Sequence, residues 1–185
     1  MAWTIREAAL PEGFPPPGPT GRVTLKHYPA YRAAFATPGG EGRGQNSLFR
    51  RLFNHIKRQD IAMTAPVEMT YNDPAAPMHD SNMTAMAFMY RSTEQGATGD
   101  DQDVVVRDVP AQSVLSIGVR GGYSGKHFDT ALEKLREHLD THPGQYEVTG
   151  PPRVLGYNSP FVPPFLRYSE VQLPVAVGEA VDAPR

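Results

Sequence analysis

The chain has 185 residues, no cysteine and a formal net charge of −2, with acidic and basic residues nearly balanced. The missing cysteine excludes disulfides, thiolate metal sites, cysteine nucleophiles and cysteine-anchored cofactors. The balanced charge offers no basic field for nucleic acid, and no stretch approaches the ~20 apolar residues of a membrane span. The opening "MAWTIREAALPEGFPPPGPTG" has no apolar run of the secretory type. Together with the lack of cysteine this gives the expectation of a cytoplasmic protein.

Within a Pro/Gly-rich N-terminal extension at 1–21, residues 11–21, "PEGFPPPGPTG", read as an extended linker, so the compact domain is expected over 22–176, followed by a loose tail at 177–185. In the first strand, "VTLKHY", Val23, Leu25 and His27 share one face, while Thr24 and Lys26 alternate toward solvent. The run "NSLFRRLFNHIKR" places Leu48, Phe49, Leu52, Phe53 and Ile56 on one helical face, with Asn46 or Ser47 as cap. "RQDIAMTAPVEMTY" alternates like a strand but carries Pro66, which cannot donate to a ladder and so suits an edge or a bulge. "HFDTALEKLREHLDTHPG" gives a second helix, with Phe128, Ala131, Leu132, Leu135 and Leu139 inward and Pro143 and Gly144 as the stop.

Two halves of the chain match at one constant offset. Val23 corresponds to Val104, Lys26 to Arg107, Pro29 to Pro110 and Ala30 to Ala111; a helix follows in each half, and then a strand that meets Pro66 or Pro160. Each half, about 22–90 and 103–176, reads strand-strand-helix-strand-strand. The expected fold class is therefore α+β: a duplicated ββαββ unit forming a distorted antiparallel β-barrel flanked by two α-helices, with a groove between the halves.

Few residues carry obvious chemistry. His27 ends an apolar stripe, where its imidazole can ligate a metal or simply bond to a carbonyl. His138 and His142 lie four apart on a helix, but no third ligand accompanies them. His55 and His127 flank the helices, and His79 sits in a polar loop. Glu68, Glu147 and Glu170 are scattered, with no pairing visible for acid–base work. "GRGQNS" and "RGGYSGKH" are glycine-containing turns without phosphate-binding spacing. Met63, Met69, Met78, Met83, Met86 and Met89 cluster in sequence, as core filler or as an adaptable apolar lining.

"VTLKHYPAYRAAFAT", "IAMTAPVEMTY" and "GYNSPF…LRYSEVQLP", in that order, resemble the signature segments of the SOUL haem-binding family, over about Arg22 to Val175. The resemblance implies a duplicated barrel unit and reversible binding of haem or another tetrapyrrole by a non-enzymatic protein. It implies His27, in Lys26-His27-Tyr28, as the axial ligand of haem iron, although other relatives lack this histidine and hold haem in an apolar groove. On that basis Met63, or no protein group, would take the other side of the iron, Leu25, Leu52 and Phe53 would face the ring, and Arg50, Arg51, Lys57 or Arg58 would meet the propionates. The sequence departs from the family at the "KRQD" loop, at Asp60, and at Gln172 in place of a tryptophan; these positions are expected near the groove edges. The same fold also serves effector-binding modules for other apolar molecules, and a hydrolase or tetrapyrrole-modifying enzyme on it is a further alternative. A monomer is the default expectation.

Overall fold

The computed structural model describes residues 7–39, 44–72, 77–78, 80–159 and 161–178. His79, Pro160, part of the "GRGQNS" turn and the tail from 179 onward lie outside the described residues. The strands are β1 (Val23–Tyr28), β2 (Tyr31–Ala36), β3 (Val67–Tyr71), β4 (Met83–Met89), β5 (Gly99–Asp101), β6 (Val104–Val109), β7 (Gln112–Arg120), β8 (Tyr146–Val148), β9 (Arg153–Gly156) and β10 (Tyr168–Val177). The α-helices are α1 (Gln45–Arg58) and α2 (Gly125–Thr141).

All ten strands form one antiparallel sheet in the order β1-β7-β10-β9-β3-β4-β2-β6-β5, with β8 added beside β10. β1 and β2 lie six places apart on this path, about 29 Å on a flat sheet. Yet Tyr28 and Tyr31 are only three residues apart, a reach of roughly 10 Å. The sheet must therefore be strongly curled. It is not closed into a barrel: β1 and β5 stand at opposite ends of the path, with no ladder joining them among the described residues. Pro29 and Pro110, at the corners after β1 and β6, have no N–H to carry a ladder across.

Both helices cover one face. Leu48, Leu52 and Ile56 of α1, and Phe128, Ala131, Leu132 and Leu135 of α2, share a core with Met69, Met86, Val154, Val171 and Leu173. The expected helical stripes hold except at Phe53, which is 40% exposed because it stacks on Phe49 at the outer margin of α1. His55 takes the inward place instead: it is buried, with Nδ1 2.6 Å from Asp101 Oδ2 and Nε2 2.7 Å from the Tyr90 hydroxyl. That contact clamps α1 onto β4 and β5. The expected caps of α1 are also corrected, because Asn46 and Ser47 already lie within the helix and Gly44 is its N-cap, with no side-chain cap bond. In α2, Ser124 caps by accepting from the His127 amide.

The other face carries a second core of Tyr28, Tyr31, Ala33, Phe35, Val114, Leu155, Tyr157 and Tyr168. It is sealed by residues 14–20 of the N-terminal segment, which pack on the sheet where a free linker is expected over 11–21. Phe14 packs edge-on against Tyr28 and Tyr31 at 4.9 and 5.2 Å, and Thr20 bridges to Gly118. The prolines hold this strap extended, and Phe14 anchors it. Gly118 is required by the close approach: a Cβ there would stand 2.6 Å from the Pro19 carbonyl oxygen and 2.7 Å from the Tyr168 hydroxyl.

Pro66 is neither at a sheet edge nor at a bulge. It immediately precedes β3, a central strand, after a cis Ala65–Pro66 peptide. The missing donor thus falls just outside the ladder.

Candidate ligand-binding site

Two places collect polar or unusual side chains, one on each face of the sheet. On the strap side, Lys26 and Glu170 form a buried ion pair at 2.5 Å, and Arg153 pairs with Glu68 at 3.0 Å. Gln172 joins the two pairs, accepting from Arg153 Nε at 3.0 Å and donating to Glu170 at 3.0 Å. Tyr157 and Tyr168 donate to Glu170 at 3.2 and 2.9 Å, and Tyr31 donates to Glu68 at 3.1 Å. The strap contributes the Gly18 amide to Glu170 and the Pro16 carbonyl to Lys26.

Lys26 is therefore not solvent-facing, as alternation suggested: both faces of β1 are covered, and a buried carboxylate compensates its charge. Gln172 likewise lies in this core, not at a groove edge, while Asp60 stands in a left-handed turn after α1 (φ 52°). Burial, and then the nearby carboxylates, push the Tyr28, Tyr31, Tyr157 and Tyr168 hydroxyls well above the ordinary tyrosine value. Every charged member of the cluster already has a protein partner, so it reads as a polar core.

On the helix side lies a cavity of about 380 Å³, within the ~300–1,000 Å³ range of small-molecule pockets. Its floor is the β3–β9 pair at Val67, Met69 and Gly156, with Met86 beside it. One wall is the start of α1 at Gln45, Asn46 and Phe49; another is Tyr123, ahead of α2. The rim is formed by Met63, Thr64, Asn158, Ser159 and the strap residues Glu7 and Ala8. Gly156 leaves room for Tyr123, since a Cβ there would meet the Tyr123 hydroxyl at 3.2 Å.

The polar groups around the cavity are mostly engaged. The Tyr123 hydroxyl donates to the Asn158 carbonyl at 2.6 Å, and burial pushes its pKa up to about 12. Thr64 donates to the Met89 carbonyl, and Gln45 lies 2.9 Å from the Met69 sulfur. Glu7 clamps Ser159 through its amide at 2.7 Å and its hydroxyl at 2.6 Å. What remains facing inward is aromatic, aliphatic and thioether surface.

Of the expected site residues, only Met63 lines this cavity, where it is 39% exposed. Leu52 is fully buried in the helix core, Arg50 and Phe53 are exposed, and Leu25 packs beneath the helices. His27 does continue the Val23–Leu25 stripe, but past the end of the core. It is exposed, and Nδ1 lies 2.8 Å from Ser113 Oγ. β7 and β10 separate its strand from β9, about 14 Å across the sheet. Asp108, at the same sequence offset from His27 as Val104 from Val23, forms a two-point surface ion pair with Arg32 at 2.7 and 3.0 Å. His138 and His142 stack at 4.1 Å, and no cluster of three metal-ligating side chains occurs among the described residues. Glu68 and Glu170, which look scattered in sequence, are the pair that β3 and β10 carry into the polar core.

These residues fit a porphyrin ring better than they fit a histidine-ligated iron. Met63 and Met69 offer soft donors and apolar contact, but among the described residues the lining holds neither histidine nor a Lys or Arg for propionates.

Comparison with solved structures agrees with the fold. The chain is similar to the EcmrR C-terminal domain (16% identity, TM-score 0.61, covering 84% of this chain and 98% of that one). In the EcmrR–DNA complex the match spans 57% of the EcmrR chain. It is also similar to a hydrolase from Listeria innocua (12% identity, TM-score 0.58, 86% and 94% covered). A further similar structure is SAV2435 bound to tetraphenylphosphonium (12% identity, TM-score 0.50, 84% and 94% covered). At these identities the likeness concerns the fold alone. No curated protein matches the chain in sequence. The profile described as SOUL heme-binding protein matches residues 10–174, from the packed strap to the end of the buried run of β10. With the signature segments and nearly the whole fold inside that match, the chain belongs to the SOUL heme-binding protein family.

Proposed function

We propose that this protein is a non-enzymatic binder of haem or another flat tetrapyrrole, held reversibly in the cavity between α1 and the β3–β9 pair. The observation that carries the reading is the lining itself: Phe49, Val67, Met69 and Met86 form an apolar bed, while Thr64 is bonded to the Met89 carbonyl and Tyr123 and Glu7 to Asn158 and Ser159 at the rim. The same engagement favours binding over turnover, since Tyr123, Thr64 and Glu7 already have partners. Haem, when bound, supplies an iron that a thioether such as Met63 can ligate. Retention then rests mainly on the face of the macrocycle. A cytoplasmic, monomeric carrier suits the cysteine-free composition.

We read the two halves as a duplicated unit, an idea supported by the strand order. It is symmetric about the β9–β3 pair, with β1, β7 and β10 on one side and β6, β2 and β4 on the other. The cavity then sits where the two units meet.

A second reading has its own observation. The His27 Nε2 has no hydrogen-bond partner among the described residues, while Ser113 fixes Nδ1, the arrangement of a metal-ligating histidine. Haemin and iron-free protoporphyrin IX separate the two readings in a single titration series. The cavity reading expects both to bind saturably, with affinities within about tenfold of each other, a difference of ~1.4 kcal/mol. Binding of haemin alone would favour His27, and binding of neither would overturn both.

A further inference from the structure

Between β9 and β10, Phe161 is 95% exposed and Phe165 is 71% exposed. Single surface aromatics are ordinary, but these two stand on one buttressed loop. Val162 between them is buried, and its carbonyl accepts from Arg167 Nε at 2.7 Å. Pro163 leads into a single 3₁₀ turn, Pro164–Leu166. The rings are thus held outward on a stiff support, so burying them elsewhere costs little ordering entropy.

The loop packs on the segment joining β7 to α2. The Gly121 amide donates to the Arg167 carbonyl at 3.0 Å, and Arg120 donates to the Leu166 carbonyl at 3.2 Å. Arg120 and Arg167 stand on these two segments, and Lys126 follows in the first turn of α2. No carboxylate occurs between Asp108 and Asp129, nor between Glu147 and Glu170. Glu7, bonded to Ser159, is a carboxylate placed beside these three cations, and in a chain of net charge −2 this end is still locally positive. Exposed aromatics bordered by cations have the chemistry of an anionic lipid surface: the rings enter the headgroup boundary and the cations meet the phosphates and carboxylates.

We propose that this end of the molecule docks on anionic bilayers through Phe161 and Phe165, with Lys126 and its neighbours supplying the charge preference. Asn158 and Ser159, just before the loop, and Tyr123, 5.8 Å beneath Arg167, also border the cavity. Docking therefore sets the cavity mouth beside the lipid, so that an apolar ligand passes between bilayer and protein. That last step rests on the tetrapyrrole reading; the docking does not.

The test is co-sedimentation of ligand-free protein with vesicles of phosphatidylcholine, alone or mixed with phosphatidylserine. The wild type is expected to prefer the anionic vesicles by about tenfold, with the preference weakened by salt and lost in Lys126→Glu. Phe161→Ser/Phe165→Ser is expected to lose about tenfold or more on anionic vesicles. Both side chains lie outside the core, so its unfolding midpoint and its haemin titration in solution should match wild type. A failed haemin titration with intact vesicle binding removes only the ligand step. Absence of vesicle binding by the wild type, or undiminished binding by the double variant, overturns the docking. So does a wild-type dimer in sedimentation equilibrium that the double variant dissolves, which would assign the rings to self-association.

Discussion

Glu170→Ala is expected to lower the unfolding free energy by about 3–5 kcal/mol, the range for breaking one partner of a buried ion pair. The carboxylate is fully buried and accepts from Lys26, the Gly18 amide, Tyr157, Tyr168 and Gln172. Its removal leaves the Lys26 ammonium in the core with the Pro16 carbonyl as its remaining partner. Against a total stability of roughly 5–15 kcal/mol for a domain, the loss is large. Adding Lys26→Met to a Glu170→Gln background removes the stranded charge and keeps an acceptor for the Gly18 amide. That double variant should regain about 1–2 kcal/mol over Glu170→Ala. Urea unfolding measures both differences. The strap supplies an expected second signature: Glu170→Ala should open residues 10–20 to protease, because the Gly18 amide and the Tyr168 hydroxyl lose their common acceptor. A cost under about 1 kcal/mol would mean the pair is not buried as described.

The second large effect is on the alkaline side. Tyr28, Tyr31, Tyr157 and Tyr168 have hydroxyl pKa values raised in the folded state, first by burial and then by Glu170 or Glu68. Below the unfolded value of about 10, both states keep the phenolic proton and the contribution is fully present. Above it, the unfolded chain releases protons that the folded chain retains, so stability falls as pH rises toward the folded values. Each tyrosine contributes at most about 1.4 kcal/mol per pH unit, and four together approach ~5 kcal/mol per unit. The urea midpoint should therefore change little due to these groups up to about pH 9, then fall steeply above about pH 10. Tyrosinate absorbance of the four should appear in one step with the loss of secondary structure. Gradual ionisation near pH 10 with the fold intact would contradict a dry, carboxylate-flanked cluster.

The sequence made one face of the sheet legible and hid the other. Helical stripes at Leu48–Leu52–Ile56 and Phe128–Leu132–Leu135 mark the helix-side core because one periodic face suffices to show it. Val23 and Leu25 mark the same face of β1. The opposite face is also covered, so Lys26, which alternation turns toward solvent, is buried there with Glu68, Arg153 and Gln172. Their partners lie far off in sequence, Lys26 and Glu170 being 144 residues apart, and no local pattern encodes that pairing. The recurrence of tyrosine beside these charges, at Tyr28, Tyr31, Tyr157 and Tyr168, was the signal that could have shown it. Composition misled at the strap, where proline suggests a linker and a single aromatic, Phe14, decides the outcome. Three-residue strands such as β5 and β8 are too short to show alternation.

The binding site was the least legible part. Its walls come from the strap, the start of α1, the Met63–Met69 stretch, Tyr123 and the end of β9. Only the curled sheet brings these together. The family marker "IAMTAPVEMTY" turns out to lie along the cavity, with Met63, Thr64, Ala65, Val67 and Met69 all lining it. His27, the more conspicuous residue in the sequence, sits on another part of the sheet.

The decisive measurement is a haemin titration followed at the Soret band, run side by side on wild type, Val67→Trp and His27→Ala. Val67 is half-buried on the cavity floor between Phe88 and Gly156, so an indole there fills ligand space at a folding cost of about 1–3 kcal/mol or less. The account predicts saturable binding with the same spectrum in wild type and His27→Ala. It predicts at least about tenfold weaker binding in a folded Val67→Trp. Unchanged affinity in Val67→Trp, together with loss of the Soret shift in His27→Ala, would contradict it and move the ligand to the outer end of β1.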